Sequence, residues 1–193
     1  MTRTELWTFG HSTRSADETV ELLRDNRIGR VVDVRSIAGS RHNPQFGAQA
    51  MAEWLPDGGI DYGRIEALGG RRRTRGVDPG INAGWTNDSF HAYADWTLGE
   101  EFERGLAELG DLVATPGIRV AIMCAEAVPW RCHRSLIATV LVLRGWRVLH
   151  ILGPGQVIDH RPGQWGPEPV VRPDGHVVYP AAQATLFNGS VDN

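Results

Sequence analysis

The sequence has few cysteines, little net charge and no long apolar run, and each shortage excludes a class of protein. Two cysteines in 193 residues cannot build the disulfide framework of a small secreted scaffold, so free thiols are expected for both. A net charge of -3, from 20 basic and 23 acidic residues, gives no bulk attraction to nucleic acid or to anionic membrane; any basic surface must be local. No apolar stretch reaches the roughly 18 residues of a membrane span, and the start MTRTELWTFG lacks the apolar core and cleavage site of a secretory signal. A cytoplasmic protein of bacterial type, with no membrane partner, is expected. Neither GxGxxG nor a Walker pattern occurs, so neither a nicotinamide cofactor nor ATP is indicated, and no cofactor is expected. Repeats, low-complexity tracts and linkers are also missing. With 41% hydrophobic residues the expectation is one domain over 1–193, with a core at about 5–152 and a Gly/Pro-rich extension at 153–193.

What is present alternates between two periodicities. ELWTF (5–9) reads as a strand, and Ser15-Ala-Asp-Glu18 is a capping box opening the helical stretch ETVELLRDN. Gly29 ends that helix before the apolar run Val31–Val34, of the kind that parallel strands covered on both faces show. The pattern continues with a helix at 48–55, a strand at Ile60–Ile65, helices at 90–97 and 100–113, a strand at Arg119–Met123, a helix at Cys132–Leu143 and a strand at Trp146–Leu152. Thr97-Leu-Gly-Glu100 is a second capping-box match, ahead of the 100–113 helix. Alternating strands and helices predict an α/β fold: a mostly parallel sheet with helices on both faces, a Rossmann-like three-layer arrangement with right-handed crossovers. VVRPDGHVVYP adds two short strands around a Pro-Asp-Gly turn, a peripheral C-terminal β-hairpin. The residues from about Gly189 are expected to fray.

In open α/β sheets, ligands bind beyond the carboxyl ends of the strands. The four segments expected there are GHSTR (10–14), RSIAGSRHNP (35–44), the Arg-rich stretch 66–89 and CAEAVPWRCHR (124–134), all rich in His, Arg, Cys or Asn. The opposite edge carries ordinary turn residues, DNRIG, LPDGG and VLRGW. The asymmetry predicts a functional site centred on CAEAVPWRCHR. The helix expected after that segment offers unpaired N–H groups, and Arg131 and Arg134 add charge, so an anion seat is expected there, with Cys132 and His133 beside it. The same field favours a thiolate at Cys124 or Cys132. Glu126 is the candidate general acid or base if Pro129 and Trp130 shield it from water. His11 is a candidate for proton transfer, and Asp33 for a place in the catalytic set beside Arg35. Ser12, Arg14, Arg35, Arg41, Asn43, Arg71, Arg72 and Trp85 complete the expected substrate-binding set, with the further arginines of 71–75 nearby. Of the seven tryptophans, Trp7, Trp54, Trp96 and Trp146 fall in apolar patterns and read as core, while Trp85, Trp130 and Trp165 fall in loops and read as site wall.

Spacing argues against two sharper assignments. Six residues separate Cys124 from Arg131, one more than in the cysteine-phosphatase loop, and the glycines that wrap phosphate are missing. Cys124, Cys132 and His133, with His11 as a further ligand, would suit a metal only if the side chains converged. Seven residues separate the cysteines, and adjacent positions at a helix start point in different directions, so no metal is expected.

TFGHSTRS, VVDVRS with RHNPQF, LGGRRR, NAGWTNDSF followed by YADW, and MCAEAVPWRCHRSLIA together resemble the domain-of-unknown-function 488 family, from about residue 7 to 152, with a weaker echo in VVYPAAQATLF. The resemblance implies an α/β domain of bacteria and archaea with signature residues His11, Ser12, Arg35, Cys124, Glu126, Cys132, His133 and Arg134. It names no reaction. Three functions follow as expectations: a hydrolase or transferase acting on an anionic substrate such as a nucleotide, nucleoside or nucleic-acid component; thiol-based sulfur transfer or redox chemistry at Cys124 and Cys132; or a non-catalytic nucleic-acid-binding or regulatory module. The first survives Cys→Ser substitution, the second does not survive alkylation, and the third shows steep salt dependence indifferent to Glu126→Gln.

Overall fold

The structure, a computed structural model, describes residues 4–39, 42–73 and 76–182; the roles expected of Arg41 and of the residues from Gly189 fall outside them. A six-stranded sheet in the order β3-β2-β4-β1-β5-β6 forms the middle layer. Its strands are β1 (Glu5–Gly10), β2 (Ile28–Asp33), β3 (Asp61–Arg64), β4 (Arg119–Cys124), β5 (Arg147–Gly153) and β6 (Gln156–Asp159). β1 to β5 run parallel and β6 pairs antiparallel at the edge. The edge strand β6 lies in the extension expected to hold only a hairpin. Four residues of mixed exposure, QVID, carry too short an alternation to stand out from the surrounding Gly and Pro.

Successive residues of the central strands serve opposite layers, as strand pleating requires. Leu6, Val32, Val120, Ile122 and Val148 face α3 (Asp88–Trp96), α4 (Glu100–Val113) and α5 (Arg134–Leu143). Trp7, Phe9, Val31, Ala121, Met123 and Leu149 face α1 (Ala16–Asp25) and α2 (Ala48–Asp57). Each fully buried Leu, Val or Phe contributes about 1.5–3 kcal/mol, and both faces of the sheet are covered. The expected three-layer α/β architecture is therefore the one observed. Trp7 is buried, and Trp54, Trp96 and Trp146 pack partly buried against the two cores.

α1 opens with the expected capping box: Ser15 Oγ accepts from Glu18 N at 3.1 Å, and the Glu18 carboxylate accepts from Ser15 N at 2.6 Å. The second match does not form. Gly99 caps α4 without a side-chain bond, and the Thr97 hydroxyl turns back to Ala94 O at 2.7 Å, closing α3. With α3 and α4 three residues apart, Thr97 belongs to the end of one helix and not to the start of the next. β7 (Val170–Val171) and β8 (Val177–Val178) form the hairpin. The hairpin is a separate two-stranded sheet, as expected, and its second strand is anchored: Val177, Val178 and Tyr179 are buried, and Val177 and Tyr179 join the α3–α5 core. Among the described residues no helix is long and apolar enough to cross a membrane.

β1 and β4 are neighbours, yet the chain leaves β1 into α1 on one face and β4 into α5 on the other. Their outgoing loops diverge, and a crevice opens between them at the carboxyl ends.

Candidate active site

The crevice is built by extending the β1–β4 ladder past the strands. Gly10 pairs with Cys124, His11 N donates to Cys124 O at 3.0 Å and Ser12 N to Ala125 O at 2.9 Å. This close approach requires Gly10. Ser12 adopts φ 54°, a left-handed conformation uncommon for a residue with a Cβ, of the kind that concentrates at functional sites. The resulting pocket, about 980 Å³, is lined from all four strand-end segments.

Of the residues expected there, His11, Ser12, Arg35, Asn43, Arg71, Arg72, Cys124, Glu126, Arg131, Cys132 and His133 line the pocket. Asp33, Arg14, Arg134 and Trp85 do not. Four arginines thus face the space with one carboxylate, Glu126. The chain contains no lysine, so every permanent side-chain cation is a guanidinium, whose planar fork matches phosphate and carboxylate oxygens. Arg71 and Arg131 are exposed, and among the described residues neither has an ion-pair partner. Arg72 is tied down, donating to Gly69 O at 2.8 Å and Glu66 O at 2.6 Å and stacking 3.8 Å over the Trp96 ring.

Asp33 lies beneath the pocket, fully buried. It holds Arg35 by a bidentate pair, Nε to Oδ1 at 2.9 Å and Nη2 to Oδ2 at 2.7 Å, and takes a third bond from Tyr62 Oη at 3.0 Å. It holds Arg35 from behind and does not line the pocket. Arg35 Nη2 also donates to Phe46 O, and Nη1 donates to His11 Nε2 at 3.1 Å. A guanidinium only donates, so His11 carries its proton on Nδ1, which donates to Ser12 O at 2.9 Å. Burial, with the Arg35 charge, lowers the His11 pKa to about 4, and the ring stacks on Phe46. Both nitrogens are occupied. Within the pocket wall His11 is a neutral ring that accepts from Arg35 and donates to Ser12 O.

Cys124, Cys132 and His133 form the other wall. The expectation that Cys132 and His133 diverge fails for a local reason: Cys132 precedes the helix with extended backbone (φ -136°, ψ 141°), while His133 is the N-cap in helical conformation. The helical fan of side chains has not begun at Cys132. His133 Nδ1 lies 3.8 Å from Cys124 Sγ and 3.6 Å from Cys132 Sγ, and the three atoms fall within 4.8 Å of one another. His133 Nε2 donates to Val34 O at 2.9 Å, leaving the Nδ1 lone pair toward the sulfurs. Gly70 makes room for the ring, because a Cβ there would come 2.2 Å from Nδ1. The hydrogen bond with Cys132, then burial, pushes the Cys124 thiol up. Burial works the same way on Cys132, but the bond from Cys124 and the charge and backbone N–H of Arg134 outweigh it, and the thiol lies below its usual value.

Arg134 is not part of an anion seat. It is fully buried, and its guanidinium donates to Glu126 O at 2.6 Å and Ala127 O at 3.0 Å, clamping the loop that carries Glu126. The first turn of α5 is also occupied internally, with Ser135 N on Cys132 O and Leu136 N on His133 O. Arg14 similarly ties Gly10 O to Leu152 O, at 2.6 and 2.9 Å. Glu126 is exposed, and so is Trp130, whose ring meets that of Trp165 at a tilt of 51° and does not line the pocket. The shield expected over the carboxylate is therefore missing. Trp85 stacks on Phe90, which itself lines the pocket, so the tryptophan backs the wall without reaching the space. Sequence reasoning missed Ser36, whose hydroxyl accepts Arg71 N at 2.8 Å, along with Ser89, Phe90 and Gly70. The Gly pair in LGGRRR was the available signal for the last.

A parallel sheet whose central strands send their connections to opposite faces, with an arginine-rich pocket and a Cys–Cys–His cluster at that point, defines a doubly wound α/β protein with one polar crevice. The family model described as Domain of unknown function DUF488 matches residues 15–141, and the chain belongs to that family. No curated protein and no solved structure matches the chain.

Proposed function

We propose that the protein is an enzyme, a hydrolase or transferase, that binds an anionic substrate such as a nucleotide, nucleoside phosphate or nucleic-acid component in the crevice between β1 and β4. The observation that carries the reading is the charge of the pocket: among the described residues Arg35, Arg71, Arg72 and Arg131 line it against the single carboxylate of Glu126. At about 980 Å³ the space suits a ligand of nucleotide size. Arg35, fixed from behind by Asp33 and His11, is the preorganised donor, and Arg71 and Arg131 are the adaptable ones. Glu126 at the rim is the exposed carboxylate for proton exchange with solvent. No lysine side chain is present to form a Schiff base. The reading includes a bacterial cytoplasmic location, where both thiols stay reduced.

Calorimetric titration with inorganic pyrophosphate and with nucleoside monophosphates tests it. Binding that weakens on Arg131→Ala supports the reading, and no heat of binding for any of these anions at low ionic strength would overturn it. A thiol-transfer reading is favoured by one observation, the placing of the two sulfurs within 4.8 Å of one another; it predicts that alkylating Cys132 abolishes turnover without changing pyrophosphate affinity.

A further inference from the structure

We infer that Cys124, Cys132 and His133 are the three protein ligands of a zinc-type divalent ion whose remaining coordination position faces the pocket. The inference deepens the enzyme reading, because an ion held by two thiolates and one imidazole with an open position polarises a substrate oxygen or a bound water.

Four features carry it. His133 Nδ1 is spaced from both sulfurs as in a tetrahedral site: metal–sulfur bonds of about 2.3 Å and a metal–nitrogen bond of about 2.0 Å set nitrogen and sulfur roughly 3.5 Å apart, Nδ1 is 3.8 and 3.6 Å from the two sulfurs, and all three donor atoms lie within 4.8 Å of one another. The His133 tautomer is the one a metal needs, since Nε2–H is committed to Val34 O at 2.9 Å; such an outer hydrogen bond fixes ring direction in histidine-ligated sites. The cluster is held by regular structure on both sides, Cys124 ending β4 and His133 capping α5, with Gly70 leaving room for the ring. Charge also balances, because two thiolates and a neutral imidazole neutralise a divalent ion, so the buried assembly carries no net charge. Soft sulfur and imidazole donors select zinc, cobalt or copper(I) over magnesium or calcium. His11 is not a fourth ligand, as Arg35 and Ser12 O occupy its two nitrogens. All three ligands line the pocket, which is the pattern of catalytic sites as opposed to closed structural ones.

The test uses the full chain, stripped with a chelator under a thiol-free reductant and loaded with Co²⁺, then separately with Zn²⁺. Roughly one cobalt per chain is expected, with a thiolate-to-cobalt charge-transfer band and the visible bands of tetrahedral geometry. Cys132→Ser and His133→Gln are each expected to weaken uptake by about 100-fold or more, while Arg71→Ala leaves it unchanged. Circular dichroism checks that each variant is folded. Wild-type protein that is folded and reduced yet takes up no cobalt, a cobalt spectrum without the thiolate band, or full uptake by folded His133→Gln would each overturn the inference. Pyrophosphate titration separates the two readings. Anion binding without metal uptake leaves the enzyme reading standing and removes the metal; metal uptake without anion binding does the reverse.

Discussion

Gly10 and Glu126 approach so closely that a Cβ on Gly10 would fall 1.6 Å from the Glu126 carbonyl oxygen. The end of β1 and the loop after β4 touch backbone to backbone at this point, and the Arg134 guanidinium donates to the same Glu126 carbonyl at 2.6 Å.

Gly10→Ala should therefore be severely destabilising, by about 3 kcal/mol or more, since neither colliding group is the mobile end of a side chain. Gly110→Ala is the matched control. It lies inside α4 with nothing near the new methyl, and should gain up to about 1 kcal/mol from helix propensity. Urea midpoints of the two variants check both.

Asp33→Ala or Arg35→Met alone should cost about 3–5 kcal/mol, because each leaves an uncompensated buried charge. The double variant Asp33→Leu/Arg35→Met should recover part of that loss. Costs that simply add would show that the pair is not coupled. Pyrophosphate affinity should fall in every variant lacking Arg35.

Stability should fall as pH drops below 6.5, through a buried relay on the far side of α5. Thr139 spends its hydroxyl proton on Ser135 O, so it accepts from His160 Nε2. His160 Nδ1 then accepts from His150 Nε2, and His150 Nδ1 from the Thr8 hydroxyl. Burial lowers His160 to about 4 and, with the charges of His160 and Arg134, holds His150 well below the usual histidine value. Both folded values are depressed, so the unfolded chain binds more protons between pH 4 and 6.5. The stabilisation is complete above 6.5 and is lost on acidification, by about 2 kcal/mol for His160 near pH 5. Urea midpoints across this range measure the slope, and His160→Gln should lower it by roughly a third, because His11, also lowered to about 4, contributes beside His150. A flat profile would show that the relay already holds a proton.

Arg71→Ala and Arg131→Ala should leave the urea midpoint unchanged, since both side chains are exposed, and each should weaken pyrophosphate binding about tenfold. The salt dependence of binding should become shallower in both. A lowered midpoint would mean that these arginines hold the loops instead of a ligand.

Much of the fold was legible because buried strands and amphipathic helices carry their own periodicities. VVDV, the Ser15–Glu18 capping box and the 100–113 helix stand nearly where the pattern puts them. Thr97 misled because a capping box is a local match, while the hydroxyl answers to whichever helix end is nearer. β6 was missed because a short edge strand depends on its partner more than on its own pattern.

The sequence alone determined which segments meet at the carboxyl edge of the sheet, since the order of strands and helices and the pooling of His, Arg and Cys after the strands are one-dimensional facts. Only the tertiary structure decided which of those polar groups are free to act. Arg14 and Arg134 are spent on backbone carbonyls, Asp33 and His11 on Arg35, and Trp85 on Phe90. Conversely, Cys132 and His133 converge on Cys124 because one residue is extended and the next helical. Hydrogen-bond satisfaction and backbone direction at a single peptide are settled by neighbours far away in the chain, and residue type and spacing do not encode them.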